Sequence, residues 1–370
     1  MKYKLIDLLE FKTQGVNTTT DHIMYVNKGY KIVQAKNIAP YNITFDENNF
    51  IDDDTFSRIK DNHKLHKGEV LYTNIGSQLG NSAIYEFDNE AIITWNVMKL
   101  IPNKNLICNY YLCYLLNFNK PYIKALNTSS TMPFVSGKEL MNVEFDAPDL
   151  QTQRKIVKIL KSIEDKIKLN NKINNNLYEE AVALYKDKFK GIGQGKKTIG
   201  DYIVPKRGKN LLTRDAIDGD TPVVAGGIAP SAYHNQFNTK SPVITISASG
   251  ANAGYTNLWN IPVWASDCSY IDDSITKNVY FWYIVLKTRQ NEIFDAQTGS
   301  AQPHIYPQHI AEMSIGELNI AKVEKYNNLV APLFKMIGEN QKENKKLSQL
   351  RDTLLPKLMN GEIDLDNIEI

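Results

Sequence analysis

A long stretch near the middle of the chain alternates apolar and polar residues with heptad spacing. From Leu150 to Lys190 the apolar positions recur in alternating steps of four and three, which is the a/d spacing of a coiled coil. Neither Pro nor Gly interrupts the stretch before Gly191. About 40 residues at about 1.5 Å each predict a rod of roughly 60 Å, whose apolar stripe needs a partner in water.

The partner is predicted near the end of the chain, where the same pattern returns. Adding 170 to each seam position places apolar residues on apolar residues, except at Arg351, and both seam asparagines on asparagines. Because buried Asn lowers stability and fixes register, its repetition argues against the alternative that each helix packs only on its own globular half. The predicted seam is formed by Ile156, Leu160, Ile163, Ile167, Asn170, Asn174, Leu177, Val330, Leu333, Ile337, Asn340, Asn344, Leu347 and Leu354.

The direction of helix pairing is predicted from the chain path. An antiparallel pair whose facing positions sum to 514 places Asn170 opposite Asn344 and Asn174 opposite Asn340. A parallel pair also aligns the seam, so spacing alone leaves both directions open. Antiparallel pairing is favoured because one globular half separates the two helices along the chain.

The globular halves repeat as well. Short β-rich runs predict strands, and aromatic-rich runs predict one short helix in each half. The first half carries an extra polar, acidic stretch within 41–66. The matching segments are Leu5–Leu8 with Thr198–Tyr202, Lys67–Tyr72 with Lys240–Thr245, Asn109–Leu116 with Val279–Leu286, and Thr128–Pro133 with Thr298–Pro303. The predicted strands are Lys67–Tyr72, Ala83–Phe87, Ile92–Leu100, Val243–Ser247 and Val263–Ala265, and the predicted short helices are Asn109–Asn117 and Val279–Arg289.

Together these patterns predict an α+β chain with a pseudo-two-fold internal repeat. Two tandem mixed α/β domains are separated by two long helices that pair as an antiparallel coiled coil. The predicted boundaries are 1–149 for the first domain, 150–190 for the first long helix, 191–319 for the second domain, and 320–370 for the second long helix and tail.

Composition narrows the class of protein. The chain has 370 residues, a net charge of +2 and three cysteines, without an apolar run long enough for a membrane span. Sparse, odd cysteines and a start without a signal-peptide pattern predict a reducing, cytoplasmic setting. The excess positive charge lies on the central helix, where residues 151–190 carry 10 basic and 5 acidic side chains. Any single Lys is explained by a helix face exposed to solvent. The excess of positive charge would be explained by a polyanion lying beside the helix.

No catalytic or metal-binding pattern is present in the sequence. The glycines of 191–198 fail the spacing of a phosphate-binding loop, because position 190 is Lys. The Asn/Asp-Pro-Pro-Tyr run of amino-methyltransferases is absent. His63 and His66 lack further ligands that would complete a metal site. The prediction is therefore a chain without catalytic residues, metal ligands or a cofactor of its own.

Polar loops recur at matching places in both halves and are the candidate DNA-contacting sites. Gln, Asn, Arg, Lys, Ser and Thr are the residues that read base edges and bind phosphates, although any one such loop is equally explained as a turn. The candidates in the first half are Gln34, Lys36, Asn37, Thr73, Asn74, Ser77, Gln78, Asn96, Ser129 and Ser130. Those in the second half are Lys206, Arg207, Lys209, Asn210, Tyr233, His234, Asn235, Ser249, Asn252, Ser300, Gln302 and His304.

Three segments resemble the specificity subunit of type I restriction-modification systems. Pro148–Leu160 is similar to the family's Pro-x-Leu-x-x-Gln-x-x-Ile helix entry, and Leu350–Ile363 resembles its C-terminal signature. Thr298–Ile305 resembles the segment that closes a target-recognition domain, with a weaker counterpart at Thr128–Ser136. The second long helix departs from the pattern, since it begins at Asn319 without Pro-x-Leu-x-x-Gln.

The resemblance implies a non-catalytic subunit that recognises double-stranded DNA in a bacterial or archaeal cytoplasm. Each domain would read one half-site, and the helix pair would set the gap and dock two methyltransferase subunits. A motor-nuclease subunit would join through these partners, which would bind S-adenosylmethionine and ATP with Mg²⁺. Because the halves differ in loop sequence, the expected target is bipartite and asymmetric. The alternatives are a coiled-coil adaptor without sequence readout and a stand-alone nuclease.

Overall fold

The structure, a computed structural model, describes residues 1–45, 50–127, 129, 131–299 and 302–365. They group into two compact units. The first unit comprises Met1–Lys166 with Leu347–Ile370, and the second comprises Ile167–Lys346. Each long helix therefore contributes one segment to each unit.

The first unit contains twelve strands and four short α-helices among its described residues. The strands are β1 (Lys2–Lys4), β2 (Leu9–Gln14), β3 (Tyr30–Val33), β4 (Ile38–Ala39), β5 (Asn42–Ile43), β6 (Phe50–Ile51), β7 (Lys64–Leu65), β8 (Val70–Thr73), β9 (Ser82–Ile84), β10 (Ala91–Ile93), β11 (Val97–Pro102) and β12 (Glu144–Asp146). The short helices are α1 (Asp53–Arg58), α2 (Asn109–Phe118), α3 (Lys120–Ala125) and α4 (Gly137–Met141), followed by the long helix α5 (Leu150–Lys188).

The second unit has a similar but shorter set of elements. Its strands are β13 (Lys197–Thr198), β14 (Lys206–Arg207), β15 (Thr221–Val224), β16 (Ala232–His234), β17 (Val243–Ser247), β18 (Thr256–Trp259), β19 (Trp264–Ala265), β20 (Cys268–Asp272) and β21 (Ser314–Ile315). Its short helices are α6 (Val279–Thr288), α7 (Gln290–Asp295) and α8 (Pro307–Ala311), followed by the long helix α9 (Ile320–Met359).

The two units share one sheet topology, which confirms the internal repeat. The main antiparallel sheet has the strand order β2-β11-β8-β9 in the first unit and β14-β20-β17-β18 in the second. A smaller sheet lies beside each, in the orders β6-β3-β10-β7 and β16-β15-β19. Each smaller sheet contains a parallel pair, β3 with β10 and β15 with β19. The fold is therefore α+β with two like domains, as the sequence predicted.

The main sheet is covered on both faces, so its central strands are apolar at successive positions. Val70 and Tyr72 of β8 pack in the apolar cluster beneath α2, while Leu71 between them packs toward the smaller sheet. In β17, Ile244 likewise faces the helical cluster and Val243 faces the smaller sheet. Successive strand residues point to opposite faces, so a strand covered on both sides is apolar throughout.

One predicted strand is wrong in an informative way. The run Ile92–Leu100 is divided into β10 and β11 by a turn at Thr94–Asn96, where the Val97 N–H donates to the Thr94 carbonyl at 2.8 Å. The two strands belong to different sheets, so the break moves the chain from one layer to the next. An apolar run does not distinguish one long strand from two short ones.

Pairing of the long helices is antiparallel in the second unit. Asn170 Nδ2 donates to Asn344 Oδ1 at 2.9 Å, and Asn340 Nδ2 donates to Asn174 Oδ1 at 2.8 Å. The partner number falls as the first helix advances, which a parallel pair does not allow. The antiparallel prediction and its register are confirmed.

The helices pack on the globular halves as well as on one another. In the second unit, Tyr326 and Phe334 of α9 are buried in one cluster with Phe281 of α6, and the Tyr326 hydroxyl donates to the Ala181 carbonyl at 2.8 Å. In the first unit the buried cluster contains Ile156, Leu160, Leu355 and Leu358 together with α2. The long helices therefore pair with one another and also pack on the globular halves, so packing on the globular halves alone is excluded. Every predicted seam residue is buried or half-buried.

Candidate nucleic-acid interface

A turn of the same shape follows the central strand in both units. Gly76 and Gly250 occupy it with φ of 97° and 80°, which glycine adopts at little cost. The Gly76 N–H donates to the Pro133 carbonyl at 2.8 Å, and the Gly250 N–H donates to the Pro303 carbonyl at 3.1 Å. The turn is thus tied to the segment that precedes α4 or α8, and the two predicted loops of each half form one surface.

This surface presents different side chains in the two units. Ser77 is exposed in the first turn, and Gln78 beside it accepts a hydrogen bond from Asn81 Nδ2 at 2.8 Å. Asn252 is exposed in the second turn. In the adjoining segments Ser129 is half-buried and Gln302 is exposed.

Aromatic stacking orders the segment before α8. The His304 ring stacks on Tyr306 with 6.1 Å between the ring centres, and His304 pairs with Thr298 through backbone hydrogen bonds. The predicted residues Ser130 and Ser300 lie outside the described residues. Of the remaining candidates, Gln302 is exposed and His304 is paired with Thr298.

A second shared feature is a close crossing of two chain segments beside the smaller sheet. The Gly15 N–H donates to the Val97 carbonyl at 3.0 Å, and the Gly208 N–H donates to the Cys268 carbonyl at 2.8 Å. A Cβ atom at either glycine would collide with backbone carbonyls of the opposing segment. The crossing aligns 14–15 with 207–208 and fixes which residues of the two units are equivalent.

In the first unit this crossing borders an open cleft of about 240 Å³. Gln34 Nε2 donates to the Tyr25 hydroxyl at 2.8 Å, and Thr94 Oγ1 donates to Asn96 Oδ1 at 2.6 Å. The Thr94 N–H donates to the Val33 carbonyl at 3.0 Å, so two loops that are distant in sequence meet after the parallel strands β3 and β10. The cleft is lined by Thr18, Gln34, Lys36, Thr94, Trp95 and Asn96.

In the second unit a charged set of side chains occupies the equivalent place. The Arg207 guanidinium pairs with Asp267 through Nη2 and Oδ1, and Ser249 Oγ donates to the other oxygen of the same carboxylate. Burial raises the pKa of the neighbouring Cys268 thiol to about 12, an effect that Arg207 partly opposes. The thiol is therefore neutral and inert at physiological pH, and the ion pair supplies the charge at this place.

Four of the predicted contact residues are buried, which corrects the expectation that they are exposed. Asn37 accepts a hydrogen bond from the Gln34 N–H at 2.9 Å, and Asn74 accepts one from Gln14 Nε2 at 2.9 Å. His234 accepts one from the Ile217 N–H at 3.0 Å. Thr73 is fully buried in the end of β8. Asn37, Asn74 and His234 thus satisfy backbone or side-chain groups inside the loops, as buried polar groups generally must.

Several other candidates among the described residues reach the surface. Lys36, Lys206, Lys209, Asn210 and Asn235 are exposed. Tyr233 is 46% exposed, and the Lys345 ammonium lies 4.9 Å from the centre of its ring. Whether any of them touches DNA stays a prediction.

Sequence reasoning missed three residues that shape these places. Trp95 is 39% exposed at the cleft, and Gln14 donates to the Trp95 carbonyl. Asp267 orients Arg207 from 60 residues away. The Gly that follows both Gln14 and Arg207 was the available signal, because it marks the same crossing in both halves.

Within the described residues no group of three or more His, Cys, Asp or Glu side chains is placed to hold a metal ion. None of the helices described is both long enough and apolar enough to cross a membrane.

The fold and these surfaces define a protein with two like domains, each presenting its own polar loops. Residues 3–179 match the family model described as the type I restriction modification DNA specificity domain. The chain is similar to type I restriction-modification specificity proteins over this stretch.

Two relatives from Methanocaldococcus jannaschii and one solved structure extend the match. The type I restriction enzyme MjaIX specificity subunit is 26% identical over 82% of this chain and 79% of its own length. The putative MjaX specificity subunit is 31% identical over 70% of this chain and 61% of its own length. The crystal structure of a type I restriction-modification S subunit from M. genitalium is 18% identical, covers 97% of this chain and 95% of that chain, and has a TM-score of 0.57. That structure shares the fold.

Proposed function

We propose that this chain is the DNA specificity subunit of a type I restriction-modification complex and recognises a bipartite, asymmetric target. The observation that carries the proposal is one repeated scaffold bearing different polar side chains at equivalent places. The first unit places Gln14 where the second places Arg207. Because base pairs are distinguished by donor and acceptor patterns, unlike side chains on one scaffold read unlike sequences.

The two readers are assigned to the segments 1–149 and 191–319, and the paired long helices to the gap between half-sites. Methyltransferase subunits, two in our proposal, dock on this chain and carry S-adenosylmethionine. A motor-nuclease subunit that uses ATP and Mg²⁺ joins through them. The match to the family model and the names of the relatives, which are specificity subunits, support these assignments. The complex works in the cytoplasm, where its DNA target is found.

Charge balance supports a role for the partners in tight binding. Residues 1–150 carry 15 basic and 17 acidic side chains, and residues 191–319 carry 10 and 11. Non-specific affinity scales with the number of phosphates that cations neutralise. The isolated chain is therefore expected to bind duplex DNA weakly, and binding should tighten when methyltransferase subunits close around the duplex.

The deciding experiment is co-expression with the cognate methyltransferase, followed by mapping of N6-methyladenine in the host DNA. We expect a methylated motif with two unlike half-sites separated by a fixed gap. A continuous palindromic motif, or no methylation, would contradict the proposal. Exchange of 191–319 for the corresponding domain of a relative should change one half-site only. An adaptor without readout would leave the motif unchanged, and a stand-alone nuclease would cleave duplex DNA with Mg²⁺ in the absence of partners.

The helix pair is tested separately by length. Insertion of one heptad into both α5 and α9 adds about 10 Å of helix, or about three base pairs of B-DNA. The expected result is a longer gap between unchanged half-sites. A heptad inserted into α5 alone is the control, because it misaligns the seam and should abolish methylation rather than shift the gap. Altered half-site sequences in the double insertion would exclude the spacer role.

A further inference from the structure

We infer that Arg207 is a specificity-determining residue that reads a guanine in the half-site of the second domain, and that Asp267 is its positioning residue. The inference rests on the proposed function, since it requires that the second domain binds DNA.

The geometry of the side chains carries the first step. Arg207 ends β14 with its side chain 42% exposed, and the Asp267 side chain is 32% exposed. One oxygen of the Asp267 carboxylate accepts a hydrogen bond from Arg207 Nη2, and the other accepts one from Ser249 Oγ. Among the described residues, the remaining N–H groups of Arg207 make no hydrogen bond. The guanidinium is therefore held from one side and left open on the other.

The backbone beneath the pair is fixed, so the held arginine has a defined direction. Arg207 pairs with Ser269 in the sheet, and the next N–H, of Gly208, donates to the Cys268 carbonyl at 2.8 Å. The Ala248 N–H donates to the Asp267 carbonyl at 3.1 Å, which ties the carboxylate-bearing residue to the segment of Ser249. Three segments of the chain thus converge on one guanidinium.

The chemistry of this arrangement selects guanine. Guanine presents two acceptors, N7 and O6, in the major groove, and Arg satisfies both with its planar fork. A carboxylate on a DNA-facing surface repels phosphates, so it is unfavourable there unless it performs another task. Here it fixes the rotamer of Arg207 before binding, which lowers the entropy lost when the base contact forms.

The first unit shows what the same backbone position does with a different residue. Gln14 occupies the place of Arg207, and its amide already donates to Asn74 Oδ1 at 2.9 Å and to the Trp95 carbonyl. This side chain therefore fixes the loop of the first-unit cleft rather than pointing outward with open donors. The guanine contact is expected in the second half-site only.

Other cationic side chains of the second domain provide controls that distinguish a base contact from general attraction to DNA. Lys206 and Lys209 flank the pair and are exposed, so they suit phosphate contacts. Arg214 lies in the same domain with its side chain 82% exposed and 3.8 Å from Asp215. Arg214→Ala removes the same charge as Arg207→Ala without touching the crossing, which makes it the matched control.

The test uses the full chain with its methyltransferase subunit and a randomised duplex library, read by sequencing of bound and of methylated DNA. The wild-type complex first defines the two half-sites. Arg207→Ala and Arg207→Lys should each lose a guanine preference at one position, by about 5- to 150-fold. Asp267→Asn should weaken the same preference less, without lowering the melting temperature beyond that of Arg214→Ala. Lys206→Ala should weaken binding evenly across sequences.

The possible outcomes distinguish failure of this inference from failure of the proposed function. If the wild-type complex shows no sequence preference, the proposed function fails. If it shows two half-sites and Arg207→Ala leaves every base preference unchanged, Arg207 forms only a surface ion pair and the inference is wrong. If Arg207→Ala weakens binding to all sequences equally and no base preference is lost, Arg207 is a phosphate contact and the inference is also wrong. A preference lost in the half-site of the first domain would do the same.

Discussion

The two units solve one packing problem with different residues. Each must attach a long helix to the start of the short aromatic helix, α2 or α6. In the first unit Gln153 of α5 is fully buried, accepts a hydrogen bond from the Cys108 N–H at 3.0 Å, and donates to the Leu106 and Pro148 carbonyls at 2.8 and 2.9 Å. A single amide thereby joins the long helix, its entry and the residue before α2.

In the second unit the attachment moves one helical turn along α9. Asn327 is 5% exposed and accepts hydrogen bonds from the Tyr280 and Phe281 N–H groups at 3.1 and 3.2 Å. Val323 stands at the position equivalent to Gln153. The second long helix lacks the Pro-x-Leu-x-x-Gln motif. The Asn327 amide, one turn further along α9, takes the place of Gln153 and satisfies free N–H groups at the start of α6.

A second difference lies in the main sheet. In the first unit Lys99 is buried and donates to Glu69 Oε1 at 3.1 Å and to the Lys64 carbonyl at 2.7 Å. The crossing that aligns Val97 with Cys268 places Tyr270 at the equivalent position of the second unit. The same backbone thus accommodates a buried ion pair in one unit and an aromatic ring in the other.

The largest effect is expected from breaking that ion pair. Glu69→Gln leaves the Lys99 ammonium buried without its counter-charge, which should destabilise the first unit by about 3–5 kcal/mol. Denaturant unfolding, with hydrogen exchange to assign the loss to residues 1–166, measures it. Glu144→Gln, at an exposed position of β12, is the control. Glu69→Gln combined with Lys99→Met should lose less than Glu69→Gln alone; an equal or greater loss would contradict the charge argument.

The next effect compares the two amide attachments. Gln153→Ala strands one N–H and two carbonyls, and Asn327→Ala strands two N–H groups and the Lys277 carbonyl, so each should cost about 2–4 kcal/mol. Hydrogen exchange should rise at 106–112 in the first variant and at 277–283 in the second. Gln151→Ala is the matched control, since Gln151 is exposed on the same turn as Gln153. If Gln153→Ala behaves like Gln151→Ala, the attachment has been misassigned.

Periodicity predicted the long helices and their register because both depend on local spacing. The seam arithmetic that paired Asn170 with Asn344 needed only the repeat and the chain path. The side-chain contacts of the loops were not predictable in this way, because Gln14 meets Asn74 from 60 residues away. Nothing in the composition of a polar loop tells whether Asn74 turns inward or Ser77 outward. That choice depends on the crossing of segments, which only the three-dimensional structure supplies.

A smaller effect distinguishes the two asparagine layers of the seam. Asn170 is 1% exposed, and no described residue donates to its Oδ1, whereas Asn174 is half-buried and accepts from Asn340. Asn170→Leu with Asn344→Leu should raise stability by about 1–2 kcal/mol while weakening the register. Asn174→Leu with Asn340→Leu should gain less. Thermal melts measure both, and a loss of stability in the first pair would contradict the assignment of a costly polar layer.

The smallest effect concerns how the long helices begin. Asp149 accepts hydrogen bonds from the Thr152 hydroxyl at 2.7 Å and from the Thr152 and Gln151 N–H groups, and these bonds lower the pKa of its carboxyl. Asn319 accepts from the Lys322 N–H at 3.1 Å at the start of α9 and does not titrate.

A depressed pKa in the folded chain sets the sign of the pH dependence at Asp149. The stabilisation is complete above the ordinary aspartate value of about 4 and is lost as pH falls through the lower, folded pKa. The first turn of α5 should therefore fray in acid while the first turn of α9 holds, which NMR of the backbone amides would detect. Asp149→Asn should remove the difference. Equal fraying of both helix starts in the unsubstituted chain would show that the cap at Asp149 does not control this helix end.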